Sequence, residues 1–177
     1  IRKDTIPLLV NNYFSVNGCL LILHIHEKFG GPDINDFSDH HLNPIKVVLD
    51  WANQFSDDPS VKSLIKMAFP ETIDEDKTNR DAANRWVCGK QLPDLNSIQK
   101  FVKKLKNQNF TKYENLCRWL LIARALAYFE GKFPGLRHTM HQYFQAKLPV
   151  IDIVPVLDDA VIQKGNSWAE LSKAGAM

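Results

Sequence analysis

A chain of 177 residues, 45% hydrophobic and 24% charged, is long enough for one domain with a real core and too balanced to be disordered throughout. Its longest apolar runs, such as Ile151-Asp152-Ile153-Val154-Pro155-Val156-Leu157, fall well short of the roughly 20 residues of a membrane-spanning helix, so no membrane partner is expected. The formal net charge of +2 conceals a segregation: residues 30–76 carry ten acidic side chains against three lysines, and residues 77–118 carry ten basic side chains against three acids.

The opening Ile-Arg-Lys, without Met, reads as a trimmed, processed or partial chain in which a signal peptide cannot be judged. Residues 6–29 are mainly apolar, and the run Leu20–His26 suits a buried helix or a strand equally. Gly30-Gly31-Pro32 breaks that element, and the Asp/Asn/Ser-rich residues up to Asn43 read as a loop. Asn43 as N-cap and Pro44 at the first helical position then start a helix whose stripe is Ile45, Val48, Leu49, Ala52 and Phe55. Asp57-Asp58-Pro59-Ser60 ends it and opens a shorter helix with Val61, Leu64, Ile65 and Ala68 on one side, closed by Pro70.

After the acidic stretch Glu71–Asp76, residues 79–87 are expected to be helical, with Gly89 in the left-handed cap conformation. Pro93 and the N-cap Asp94 start a helix burying Leu95, Ile98, Val102 and Leu105. Thr111-x-x-Glu114 is a capping box opening a helix over 112–130, striped by Leu116, Trp119, Leu120, Ala123, Leu126 and Ala127 and ended by Gly131. Phe133-Pro134-Gly135 leads into a helix over 136–147, closed by Leu148-Pro149. Residues 150–157 tempt a strand assignment that Pro155 opposes, and Ser167-x-x-Glu170 is a second capping box for a short last helix. The sum is an all-α chain, a compact bundle of six to eight helices with a helix-turn-helix-like corner near Gly89–Pro93. Residues 1–149 form a single helical domain containing the helix-turn-helix-like segment 61–106, and 150–177 form a C-terminal segment that is docked or partly disordered.

Residues 78–106 run Thr78-Asn79-Arg80-Asp81-Ala82-Ala83-Asn84-Arg85-Trp86-Val87-Cys88-Gly89-Lys90-Gln91-Leu92-Pro93, followed by the helix with Leu95, Ile98, Val102 and Leu105. This stretch resembles the second half of the Cro/C1-type (XRE-like) helix-turn-helix domain, whose reading helix ends in Trp-x-x-Gly-Lys-x-x-Pro. The resemblance implies duplex DNA as partner, with Asn79, Arg80, Asp81 and Asn84 toward bases or phosphates, Arg85 and Lys90 on the backbone, and Trp86 in the core. Asn reads adenine and Arg reads guanine bidentately, which suits such a face. Lys100, Lys103 and Lys104, with Lys106, would lie nearby on phosphates, where each neutralising cation releases counterions. A short reading helix needs a second copy for affinity, so a homodimer is expected. The preceding Glu71–Asp76 has neither the Leu-Ala pair nor the turn Gly of that family's first two helices. Its four acids must turn away from a phosphate-facing surface.

All six histidines fall in three close pairs: His24 and His26, His40 and His41 beside Asp39, and His138 and His141. Positions i and i+3 share a helix side, and i and i+2 share a strand face, so these pairs could hold a metal if folding gathered them. No H-E-x-x-H supports a metal, so solvated or core histidines are expected, with no metal or other cofactor assigned; His24, His26, His40, His41, His138 and His141 are the candidates should one be held. No nucleophile elbow, Walker loop or dinucleotide fingerprint is present, so no catalytic residue is assigned and the balance is against an enzyme. Cys88 and Cys117 are expected to be buried, and Trp51, Trp86, Trp119 and Phe129 to be core. Three widely spaced cysteines fit neither a disulfide framework nor a zinc knuckle, which suits a cytoplasmic protein. The expected function is transcription regulation through DNA; the alternatives are an all-α interaction scaffold and a helical metalloenzyme.

Overall fold

The apolar opening of the chain folds as one helix, α1 (Thr5–Phe29), and the ambiguity over Leu20–His26 resolves to helix. Ser15, Cys19 and Ile22 recur at helical spacing and are buried, while Leu21 on the other side is exposed. A computed structural model of the chain describes residues 5–56 and 61–146, and every regular element among them is helical. Residues 150–157, where Pro155 opposes a strand, and the expected last helix after Ser167 lie outside the described residues.

After α1 come α2 (Ile34–Ser38), α3 (Pro44–Asn53), α4 (Val61–Ala68), a 3-10 turn (Asp74–Asp76), α5 (Lys77–Val87), α6 (Leu95–Asn107), α7 (Tyr113–Lys132) and α8 (Leu136–Gln145). The chain is all-α, with eight α-helices among the described residues. The stretch 33–42 is not wholly loop: Asp33 accepts the backbone N–H groups of Asn35 and Asp36, at 2.8 and 3.1 Å, and so nucleates the short α2. Asn43 and Pro44 start α3 as their types predict, with the Ile45 N–H on Asn43 Oδ1 at 3.1 Å. The helix after Gly135 stops at Gln145, two residues before its expected end.

The capping box at Thr111 does not form. Lys112 is the N-cap of α7, and Glu114 instead accepts from the Tyr113 hydroxyl at 3.3 Å and faces Arg118 at 3.9 Å, so its carboxylate does not reach back. Gly131 does not end α7 either. The left-handed residue of the turn is Gly135 (φ +87°), and the Phe133 N–H still bonds the Phe129 carbonyl at 2.7 Å.

The core runs along α7, which packs against α3, α6 and α8 while α1 packs on α8. Leu116, Trp119, Leu120, Ala123 and Leu126 of α7 meet Ile45, Val48, Leu49 and Ala52 of α3 and Ile98, Phe101, Val102 and Leu105 of α6 in one buried cluster. Three expected core residues lie at its rim instead: Leu95 is 51% exposed at the first turn of α6, Phe55 47% just after α3 and Phe129 39% on α7. Trp51 is half-buried. Leu95 and Phe55 sit at element ends, where the apolar stripe runs past the neighbouring helices.

The C-terminus of α1 is tied to α7 by two side chains one turn apart. Asn115 Nδ2 donates to the Phe29 carbonyl at 2.9 Å, and Trp119 Nε1 donates to the Gly30 carbonyl at 2.8 Å. Gly30 takes φ +69°, and a Cβ on Gly31 would lie 2.3 Å from the Trp119 ring, which is fully buried and cannot retreat. Gly31→Ala should therefore destabilise the domain by about 1–3 kcal/mol in urea unfolding followed by tryptophan fluorescence, the usual range for overpacking.

A second stability test falls on the N-cap of α6. Hydrogen bonds from the Ser97 backbone and hydroxyl hold the Asp94 carboxyl below its ordinary range. A depressed carboxyl stabilises the folded chain above its unfolded pKa, and that contribution is lost as pH falls through the folded value. Asp94→Ala should cost about 1 kcal/mol at neutral pH, typical of an N-cap, and the difference from wild type should shrink below about pH 4.

Candidate nucleic-acid interface

The corner between α5 and α6 is built by backbone geometry that its residue types specify. Gly89 takes φ +69°, with its N–H on the Trp86 carbonyl at 3.1 Å and the Lys90 N–H on the Arg85 carbonyl at 2.9 Å. Those two bonds make a Schellman termination, which requires the left-handed residue. Asn43 locks the corner from outside: its Nδ2 donates to the Trp86 and Val87 carbonyls at 2.6 and 3.0 Å while its Oδ1 caps α3. Arg124 Nε donates to the Pro93 carbonyl at 2.7 Å and joins the corner to α7. Trp86 is buried, edge-on to Phe101 at 6.0 Å, as expected of it. Asn43 had a readable role at α3, but its grip on α5 joins residues more than forty positions apart and has no local signal.

The polar residues of α5 divide between two inner flanks and an outer face. On one flank, Arg80 is half-buried and its Nη1 donates to the Phe69 and Pro70 carbonyls at 3.3 and 2.6 Å, capping the chain that leaves α4. On the other, Asn79 donates to Asp76 Oδ1 at 3.5 Å and accepts from Lys100 Nζ at 3.2 Å. Asp81, Asn84 and Arg85 are exposed between them, Arg85 Nε donating to Gln91 Oε1 at 3.0 Å. Asn84 and Arg80 also line a hollow of about 170 Å³ against Lys62, Lys66 and Glu71. Lys90 is exposed beyond the corner.

On α6, Asn96, Gln99, Lys100, Lys103 and Lys106 are exposed opposite the buried Ile98, Phe101, Val102 and Leu105. Lys106 also lies over the Tyr113 ring, 5.0 Å from its centre. Lys104 departs from this stripe. Its ammonium pairs at 3.0 Å with Asp76, whose side chain is 4% exposed. Asp76 is thus the internal counter-ion of α6, a role that its place in an acidic run conceals. Glu71 likewise pairs with Lys66 at 3.0 Å, and the Lys66 hydrogen bond and charge hold its carboxyl below the ordinary range. Two of the four acids before α5 are therefore matched by lysines, while Asp74 remains exposed. The connection from α4 to α5 occupies residues 69–76, longer than the about 3–4 residues of a helix-turn-helix turn.

The histidine pairs meet different fates. His24 and His26 lie on a helix, where i and i+2 diverge: His24 is exposed, and His26 packs edge-on to Trp119 at 6.2 Å. The other two pairs converge. The rings of His40 and His41 are 3.8 Å apart, His138 stands edge-on to His40 at 4.9 Å, and His141 Nδ1 lies 3.0 Å from Ser38 Oγ. Lost hydration, then the neighbouring His41 and His138, push His40 below its usual value. The His41 N–H bond is the main cause of a lowered Asp39.

Of the cysteines, Cys19 is buried and its thiol is pushed up to about 12 by burial, and Cys117, half-buried, is raised for the same reason. Cys88 is exposed rather than buried, because it is the C-cap of α5, outside the packed face. A cavity of about 510 Å³ beside α2 and α3 is lined by Asp33, Asp36 and Asp50 with Lys46 and Trp51, so it belongs to the acidic part of the chain. No protein-family model matches the chain, and neither the curated proteins nor the solved structures contain a match to it.

The two neighbouring lysines of α6 should respond differently to deletion. Lys104→Ala leaves a buried carboxylate with one weak partner and should lower stability by about 1–3 kcal/mol. Lys103→Ala, on the outer stripe, should stay within about 0.5 kcal/mol of wild type in the same urea titration.

Proposed function

We propose that this domain is a DNA-binding regulatory protein that sets the outer face of α5, with Asp81, Asn84 and Arg85, against a duplex groove and runs Lys90, Lys100, Lys103 and Lys106 along the phosphate backbone. The observation that carries the reading is the separation of charge: these cations are exposed, whereas Asp76 is buried on Lys104 and Glu71 is paired with Lys66. A basic stripe beside which Asp76 and Glu71 are already matched attracts phosphates from a distance, and each contact releases condensed counterions. Arg80 and Asn79, engaged within the fold, act by fixing how α5 sits rather than by touching bases.

A single short reading helix gives little discrimination, so two copies would engage half-sites about 34 Å apart, one turn of B-DNA. Leu121, Tyr128 and Phe129, exposed on α7, offer apolar surface for that pairing.

Fluorescence anisotropy with a random duplex tests the reading. Binding should be measurable at 50 mM salt and weaken by at least about tenfold by 200 mM, given a slope near −0.9 for each phosphate neutralised. Lys103→Ala and Lys106→Ala should each reduce the salt slope by about 1. Arg85→Ala with Asn84→Ala should weaken binding to selected sites more than to random duplex. Absence of binding at 50 mM salt would sink the proposal.

A further inference from the structure

The connection between α2 and α3 and the first turns of α8 come together around four ligand-type side chains that the DNA reading does not use. Asp39, His40 and His41 each offer a ligand atom, and these atoms lie within 4.8 Å of one another. Closeness among three consecutive residues is partly imposed by the chain. The arrival of His138, from almost a hundred positions away and with its ring 4.9 Å from that of His40, is not.

Both sides of this meeting are held by buried or short-range bonds. Arg137, next to His138 and 4% exposed, donates from Nη1 to the Leu42 carbonyl at 2.8 Å and from Nη2 to the Phe37 carbonyl at 3.0 Å and the Asp39 carbonyl. One guanidinium therefore sets the path of the loop that carries His40 and His41. The start of α8 is fixed by Glu130, whose two oxygens accept the Gly135 and Arg137 N–H groups at 2.9 and 2.7 Å. The Asp39 N-terminal neighbour Ser38 is also tied to α8 through its contact with His141. Ligands displayed on elements fixed in this way need little reorganisation to close on an ion.

We propose that Asp39, His40, His41 and His138 form a binding site for one divalent transition ion of the zinc class, which clamps the α2–α3 connection to α8. Three imidazoles and one carboxylate suit a borderline ion such as Zn²⁺, and they do not suit calcium or magnesium, which take oxygen ligands. Tetrahedral zinc, with bonds near 2.0–2.2 Å, holds its ligand atoms about 3.4 Å apart. The three loop ligands need to draw in by no more than about 1.4 Å, a rotamer-scale adjustment for exposed rings. His138 completes the set by turning from Gln142, now 3.0 Å from its Nε2.

The test uses the full chain without a histidine tag, stripped with chelator and titrated with Zn²⁺ by calorimetry and with Co²⁺ by visible absorption. One equivalent should bind, with the intense absorption of tetrahedral cobalt, and zinc should raise the melting temperature. His40→Ala with His41→Ala should abolish saturable binding, and His138→Ala should weaken it by at least about tenfold and remove the zinc-dependent melting shift. His24→Ala with His26→Ala should bind like wild type. Far-ultraviolet circular dichroism confirms that each variant is folded, and His138→Gln repeats the measurement if His138→Ala is not. No saturable uptake, uptake unchanged in the His40/His41 variant, or binding indifferent to His138 would each overturn the clamp.

Discussion

Trp119 fills the space over the Gly30-Gly31 turn, with its Nε1–H on the Gly30 carbonyl and the rings of Phe37 and His26 against its edges, at 5.2 and 6.2 Å. An indole admits no other residue than glycine at Gly31, so this contact sets how closely α1, α2 and α7 approach. Asn115, one turn earlier on α7, satisfies the last carbonyl of α1 and fixes the register between the two helices. Because α7 also forms the wall for α3 and α6, the orientation set at Trp119 passes to the elements that hold α5. A helix end that would otherwise leave carbonyls unsatisfied is thus turned into a joint.

On this scaffold α5 is gripped from both flanks. Arg80 reaches back to the end of α4, Asp76 and Asn79 reach across to Lys104 and Lys100 of α6, and Asn43 holds its final carbonyls. Two of the helix's polar side chains, Asn79 and Arg80, are consumed in positioning it, which leaves an outer face with Asp81, Asn84 and Arg85 and a lysine stripe on α6. A buried carboxylate beside a half-exposed lysine is what allows a basic surface to stand next to an acidic stretch. The charge of Asp76 is turned inward and neutralised before it can oppose an approaching anion.

Much of this was readable in residue types. Asn43-Pro44, Gly89, Asp94 and the period of Ile45 to Ala52 announce α3, the corner and α6, because caps and amphipathic stripes depend on groups within one or two turns. Where the reading failed, a competing local partner or an element end was responsible. Glu114 found Tyr113 and Arg118 instead of a backbone N–H, Gly131 was not the residue at which the chain needed a left-handed φ, and the apolar Leu95 and Phe55, at the start of α6 and just after α3, ran past the neighbouring surface.

The local pattern of the chain was sufficient for its helical class, its caps and the segregation of its charge, since these need no more than neighbours within a few turns. The side chains available for chemistry were decided by folding. Whether Arg80 faces a ligand or the carbonyls of Phe69 and Pro70, whether Asp76 opposes the basic stripe or neutralises Lys104, and which histidine pairs meet all depend on elements distant in sequence. Spacing places a residue on a face of its own helix, but only the packing of another helix against that face determines whether it is exposed, paired or buried.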